Sequence, residues 1–85
     1  MITREQSRAA RGLLGWSQAH LAKTALIGIV TVRQFETGAH EPRRLTLHAI
    51  RRAFEAAGVE FIDENGGGPG VRLRKRQQEK TQRTE

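Results

Sequence analysis

At 85 residues with 36% apolar side chains, the chain has room for one lean core and no second domain. It contains no cysteine, which excludes a disulfide framework, a thiolate zinc site and a cysteine nucleophile. The net charge of +6 is uneven: Arg72 to Glu85 hold six basic and two acidic residues, against nine and seven in residues 1 to 71. Such a basic tail either adds phosphate attraction independent of sequence or is a solvated end that aids solubility. The N-terminus, MITREQSRAARG, has no apolar h-region, and no stretch approaches the ~18 apolar residues of a membrane span. A soluble cytoplasmic protein is expected.

In chain order, residues 3 to 14 read as a first helix. Thr3 with Gln6 three positions on matches a capping box. Ala10 and Leu14 share one face, Ala9 and Leu13 form a second row, and Gly15 ends the helix. Trp16 then plugs the junction to the next element. Ser17 is a good N-cap for a second helix over 18–25, with Leu21, Ala22 and Ala25 at helical spacing. A corner over Leu26 to Gly28 leads into a third helix over about 29–37, which turns Val32 and Phe35 inward and stops at Gly38.

The loop GAHEPRRL follows, in which Pro42 keeps Glu41 out of a helix and Arg43 with Arg44 forms a compact positive point. Thr46 is expected to cap a fourth helix carrying Leu47, Ile50, Ala53, Phe54 and Ala57 on its apolar face. His48, Arg51, Arg52 and Glu55 lie opposite, and Gly58 closes it. The period then changes. VEFI (59–62) and VRLR (71–74) alternate on either side of DENGGGPG, which predicts a β-hairpin packing Val59, Phe61, Val71 and Leu73 on the helices or pairing with a second chain. Residues 75–85 carry no apolar side chain and are expected to be disordered.

Two helices meeting across a turn this short form a helix-turn-helix, whose second helix enters the DNA major groove. Ser17-Gln18 opening a helix, Leu21-Ala22, Val32 and Phe35 ahead of Glu36, and Gly38 resemble the Cro/C1-type (XRE family) helix-turn-helix of phage and bacterial repressors, over about residues 4–58. The expected fold is therefore mainly α. A four-helix, lambda-repressor-like domain (1–58) is followed by a short β-hairpin (59–74), a candidate dimerisation element, and a disordered basic tail (75–85).

The resemblance implies sequence-specific DNA binding and repressor-like transcriptional regulation, by a homodimer on double-stranded DNA. It places base readout on Ile29, Val30, Thr31, Arg33 and Gln34, and phosphate or groove-edge contacts on Ser17, Gln18, Gly28, Thr37, Arg43 and Arg44. It also implies a salt bridge between Arg11 and Glu36, expected here as a partly exposed pair worth ~1 kcal/mol or less. Chemistry supports part of that set. Arginine forks onto guanine or clamps a phosphate, and glutamine forks onto adenine. A helix N-terminus such as that at Gln18 offers N–H groups to an anion.

Two departures stand out. Leu26 occupies the turn position where the family usually has glycine. Ile29 and Val30 stand where polar side chains usually read bases, so they either touch thymine methyl groups or form a surface for a protein partner. An antitoxin that represses its own operon and binds a toxin, or a protein-interaction module on the same fold, are the alternatives. GGGPG (66–70) lacks the lysine-serine or lysine-threonine pair and the helix of a phosphate-binding loop. His20, His40 and His48 sit on separate elements without ligand spacing. No cofactor, metal or enzymatic activity is expected.

Overall fold

Caps decide where the helices begin. Thr3 accepts from the Gln6 amide and the Gln6 side chain accepts in return from Thr3 N, completing the capping box that starts α1, Arg4–Leu14. Ser17 accepts from His20 N at 3.0 Å and starts α2, Gln18–Ala25. Gly28 precedes α3, Ile29–Thr37, and Gly38 ends it at φ 84°. The fourth helix, α4, runs Arg44–Ala56. Its start corrects the sequence reading: the N-cap is Arg43, not Thr46, which already lies in the first turn with its N–H on Arg43 O. Pro42, rigid just ahead of the cap, lets the helix begin three residues earlier than a Thr46 cap would allow.

Strands β1, Val59–Ile62, and β2, Gly70–Leu73, then pair antiparallel with Val59 opposite Leu73 and Ile62 opposite Gly70. The second strand begins one residue earlier than its alternation suggests and stops before Arg74, whose N–H goes to Gly58 O. These elements belong to a computed structural model that describes residues 1–63 and 66–74; the tail over 75–85 falls outside them.

One core joins all the helices and the hairpin. Ile2, Ala10, Leu21, Ala22, Val32, Phe35, Leu47, Ile50, Ala53, Phe54 and Val59 are buried together. Trp16 packs on its margin, stacked 5.6 Å from Phe54 and tilted 4.5 Å from the His20 ring. The second row on α1 is not core, since Ala9 and Leu13 are exposed, and neither is Ala57. Helix α1 leans on its neighbours through the Ala10 side, which leaves that row to solvent.

The hairpin turns its apolar side to the helices, as alternation requires. Val59 is buried and Phe61, Val71 and Leu73 pack on the core. Gln6 fastens the loop end by donating from its amide nitrogen to Gly70 O at 3.0 Å and Ile62 O at 3.4 Å. The opposite side carries the Glu60–Arg72 ion pair at 2.7 Å. Any contact of the hairpin with a second copy therefore falls to its edges and this polar side.

Candidate nucleic-acid interface

The junction of α2 and α3 is made by three residues in three different states. Leu26 closes α2 in the left-handed region (φ 61°, ψ 45°), the only described non-glycine residue with positive φ. For a side chain with a Cβ this costs ~1–2 kcal/mol. Burial returns none of it, because Leu26 is 88% exposed. Ile27 points the other way, onto the core, and its N–H bonds Ala22 O at 3.0 Å. Gly28 is extended, and its carbonyl accepts from Thr31 N and Val32 N to open α3.

The residues expected to read bases divide along α3. Ile29 is half-buried and packed against the core, so only its outer part faces solvent, and Thr31 is likewise half-buried. Val30 is 55% exposed, and Arg33, Gln34 and Thr37 are exposed with it. Their spacing of three, four and seven places all four on one side of the helix. That outer stripe presents one aliphatic group, one guanidinium, one amide and one hydroxyl. Thr37 Oγ1 donates back to Gln34 O at 3.3 Å and accepts from Ala39 N at 3.4 Å.

Glu36 sits on the opposite side and controls the charge of the whole unit. It is the only carboxylate between Ser17 and His40. Its side chain is 1% exposed, so the expected partly exposed pair is corrected to a buried carboxylate with a partner at the edge, Arg11 being 20% exposed. Arg11 donates to it from Nη2 at 2.7 Å and from Nε at 3.0 and 3.2 Å. Ser7 Oγ donates at 2.6 Å and Gln18 Nε2 at 3.1 Å. Burial pushes the Glu36 carboxyl up, but hydrogen bonds from Arg11, Ser7 and Gln18 and the Arg11 charge together outweigh it and hold it below its ordinary 4.5. The carboxylate stays ionised, its charge answered within the chain, and among the described residues no acid pairs with Arg33 on the outer side of α3.

The residues expected at phosphates also separate. Ser17 is engaged as a cap, and Gln18 gives one amide N–H to Glu36, which ties the start of α2 to α1 and α3 through one carboxylate. Arg43 and Arg44 are exposed at the start of α4. Helices α3 and α4 have no side-chain cap at Gly28 and Arg43, whereas α1 and α2 do. Gly28, Arg43 and Arg44 are exposed at these uncapped starts, where a helix N-terminus suits an anion.

Beyond Arg11, sequence reasoning did not find the α1 side of this arrangement, which includes Arg4, Ser7 and Arg8. Arg8 Nη1 donates to Glu36 O, Arg11 Nη1 donates to Trp16 O at 3.2 Å, and the Arg4 guanidinium lies over Gly38, 3.1 Å from where a Cβ would stand. Arg8 and Arg4 thus pack against the last turn of α3, which Gly38 ends. The signal was present: Arg4 and Arg8, and Ser7 and Arg11, are each four apart and so stack along α1.

The other charged groove, about 530 Å³ between α4 and the hairpin, is lined by Arg51, Glu55, Glu60, Phe61 and Arg72 among others. Two of its three arginines are paired: Arg51 meets Glu55 at 2.9 Å and lies 5.0 Å from the Phe61 ring centre, and Arg72 meets Glu60, while Arg74 Nη2 donates to the Glu55 carbonyl at 3.1 Å. Among the described residues no group of three His, Asp or Glu side chains could hold a metal ion, and no helix is long and apolar enough to cross a membrane. Compared with known proteins, the chain matches no protein-family model and no curated protein.

Proposed function

We propose that this chain binds double-stranded DNA sequence-specifically as a Cro/C1-type helix-turn-helix regulator of transcription, with α3 as the recognition helix in the major groove. One observation carries the reading. The exposed stripe of α3 offers Arg33 and Gln34, two side chains able to fork onto base edges, on a unit whose only carboxylate is buried and neutralised by Arg11. Arg43 and Arg44, at the uncapped start of α4, are the candidate backbone clamps, and the basic tail adds charge. Gln18 acts chiefly as a positioning residue, held by Glu36, so a phosphate at the start of α2 would meet its remaining amide N–H and the backbone.

An interface of this size on one protomer is small for useful specificity, which favours a homodimer on a two-fold site. A protein-interaction module on the same fold is the second reading, favoured by the exposed Leu26 and Val30. Selection of bound sequences from a random DNA pool separates the two. The DNA reading expects an enriched palindrome and affinity that falls steeply with salt. Arg33→Ala and Gln34→Ala should each lower affinity for the selected site ~5–100-fold and relax one base position. A pool that stays unenriched, with no salt-dependent binding, rejects the proposal.

A further inference from the structure

We infer that Val30 reads the C5 methyl group of a thymine, so that recognition at one base of each half-site is apolar rather than hydrogen-bonded. The inference rests on the DNA-binding reading above and goes beyond it in naming the chemical group recognised. Val30 is 55% exposed on the second residue of α3, on the same side as Arg33 and Gln34. Ile29 beside it is turned partly into the core, so Val30 is the aliphatic side chain that this stripe presents outward. Its branched methyl pair has no hydrogen-bonding capacity. Among the base edges in the major groove, only thymine presents an apolar group.

The surroundings fit DNA better than a protein partner. No exposed carboxylate lies between Ser17 and His40, which suits a polyanion. A stable protein interface takes ~800 Å² from each partner with an apolar centre. Two exposed aliphatic side chains, Val30 and the turn residue Leu26, beside Arg33, Gln34 and Thr37 are too few to supply that centre, whereas a single methyl group is a target of matching size for Val30.

The test starts from the sequence selected by the full chain and replaces each thymine in turn by deoxyuridine, which removes the methyl group and leaves base pairing intact. At one position per half-site, deoxyuridine should weaken binding about fourfold, the factor expected for losing the burial of one methyl group. Val30→Ala should bind thymine and deoxyuridine at that position within twofold of each other, while its thermal unfolding temperature stays level or rises, since alanine is the better helix former. The methyl inference is overturned if every thymine can be replaced without loss, or if Val30→Ala keeps the full discrimination. In both cases tight, sequence-dependent binding would leave the DNA-binding reading standing. Failure of the selection itself would overturn the two together.

Discussion

The two ends of α3 break the ordinary rule of burial in opposite directions. Near its C-terminus the chain buries an ionised carboxylate, Glu36, and surrounds it with Arg11, Ser7 and Gln18. At its N-terminus the chain exposes Leu26 and Val30, one of them in a strained backbone conformation. The first departure is compensated inside the molecule, because four side chains of α1 and α2 donate to Glu36: Ser7, Arg11 and Gln18 to its carboxylate and Arg8 to its carbonyl. Among the described residues nothing compensates the second. A polar group inside with every partner present is there for geometry, whereas the apolar pair outside is what the proposed DNA contact would account for.

The most severe way to break this contrast is to remove the compensation. Arg11→Ala leaves Glu36 buried without its cation and should cost ~3 kcal/mol or more, since losing one partner of a buried pair is far more damaging than losing an exposed one. For a domain this small that lowers the unfolding temperature by ~12–24 °C, which a circular dichroism melt would read. The double variant Arg11→Met with Glu36→Leu should recover much of the loss, because it removes the unpaired charge together with the pair. If Arg11→Ala costs under ~1 kcal/mol, the pair behaves as an exposed one and the contrast fails.

Acid tests the same site without mutation. The folded-state pKa of Glu36 is lowered from 4.5, so its contribution is fully present above about that pH and is lost as pH falls through the lower folded value. Glu60, lowered by its hydrogen bond from Arg72, acts in the same direction at an exposed site. Unfolding temperature should therefore fall with acidification below pH 4.5. Glu36→Gln, which keeps the shape and the acceptor oxygen but carries no charge, should flatten most of that decline. An unchanged slope in Glu36→Gln would place the acid sensitivity elsewhere.

How much of this could be read from the sequence follows the same division. Local signals were legible: the Thr3–Gln6 box, the Ser17 cap, Gly38, and the hairpin alternation each act through neighbours in the chain. The Arg11–Glu36 pairing was legible only through resemblance, and its depth was not, because burial of Glu36 depends on α1, α2 and α3 closing together. Gln6 shows the limit well. Its capping role is local, but its amide also holds Ile62 and Gly70, and nothing in the sequence joins residues 56 and 64 positions apart. The start of α4 was misplaced at Thr46 because a threonine was weighed as a cap where Pro42 had already set the turn. At the candidate site, Val30 and Ile29 looked equivalent in sequence, and only the packing of α3 separates them.

Smaller effects sharpen the contrast at two positions whose residue types look exchanged. Gly12 lies inside α1 with nothing within 4 Å of an added Cβ, so Gly12→Ala should stabilise by ~1 kcal/mol through helix propensity alone. Leu26 is the reverse, a leucine holding φ 61° where glycine would be unstrained. Leu26→Gly releases ~1–2 kcal/mol of left-handed backbone cost and loses ~0.5–1 kcal/mol to the freer unfolded chain, for a net gain of up to ~1.5 kcal/mol. Denaturant unfolding resolves a change of that size when the slope is unchanged. A net loss instead would mean that the leucine side chain supports the fold, and the turn would then belong with Glu36 as structure. A net gain accompanied by weaker binding to the selected DNA would mean that the chain keeps a less stable turn for the surface it presents.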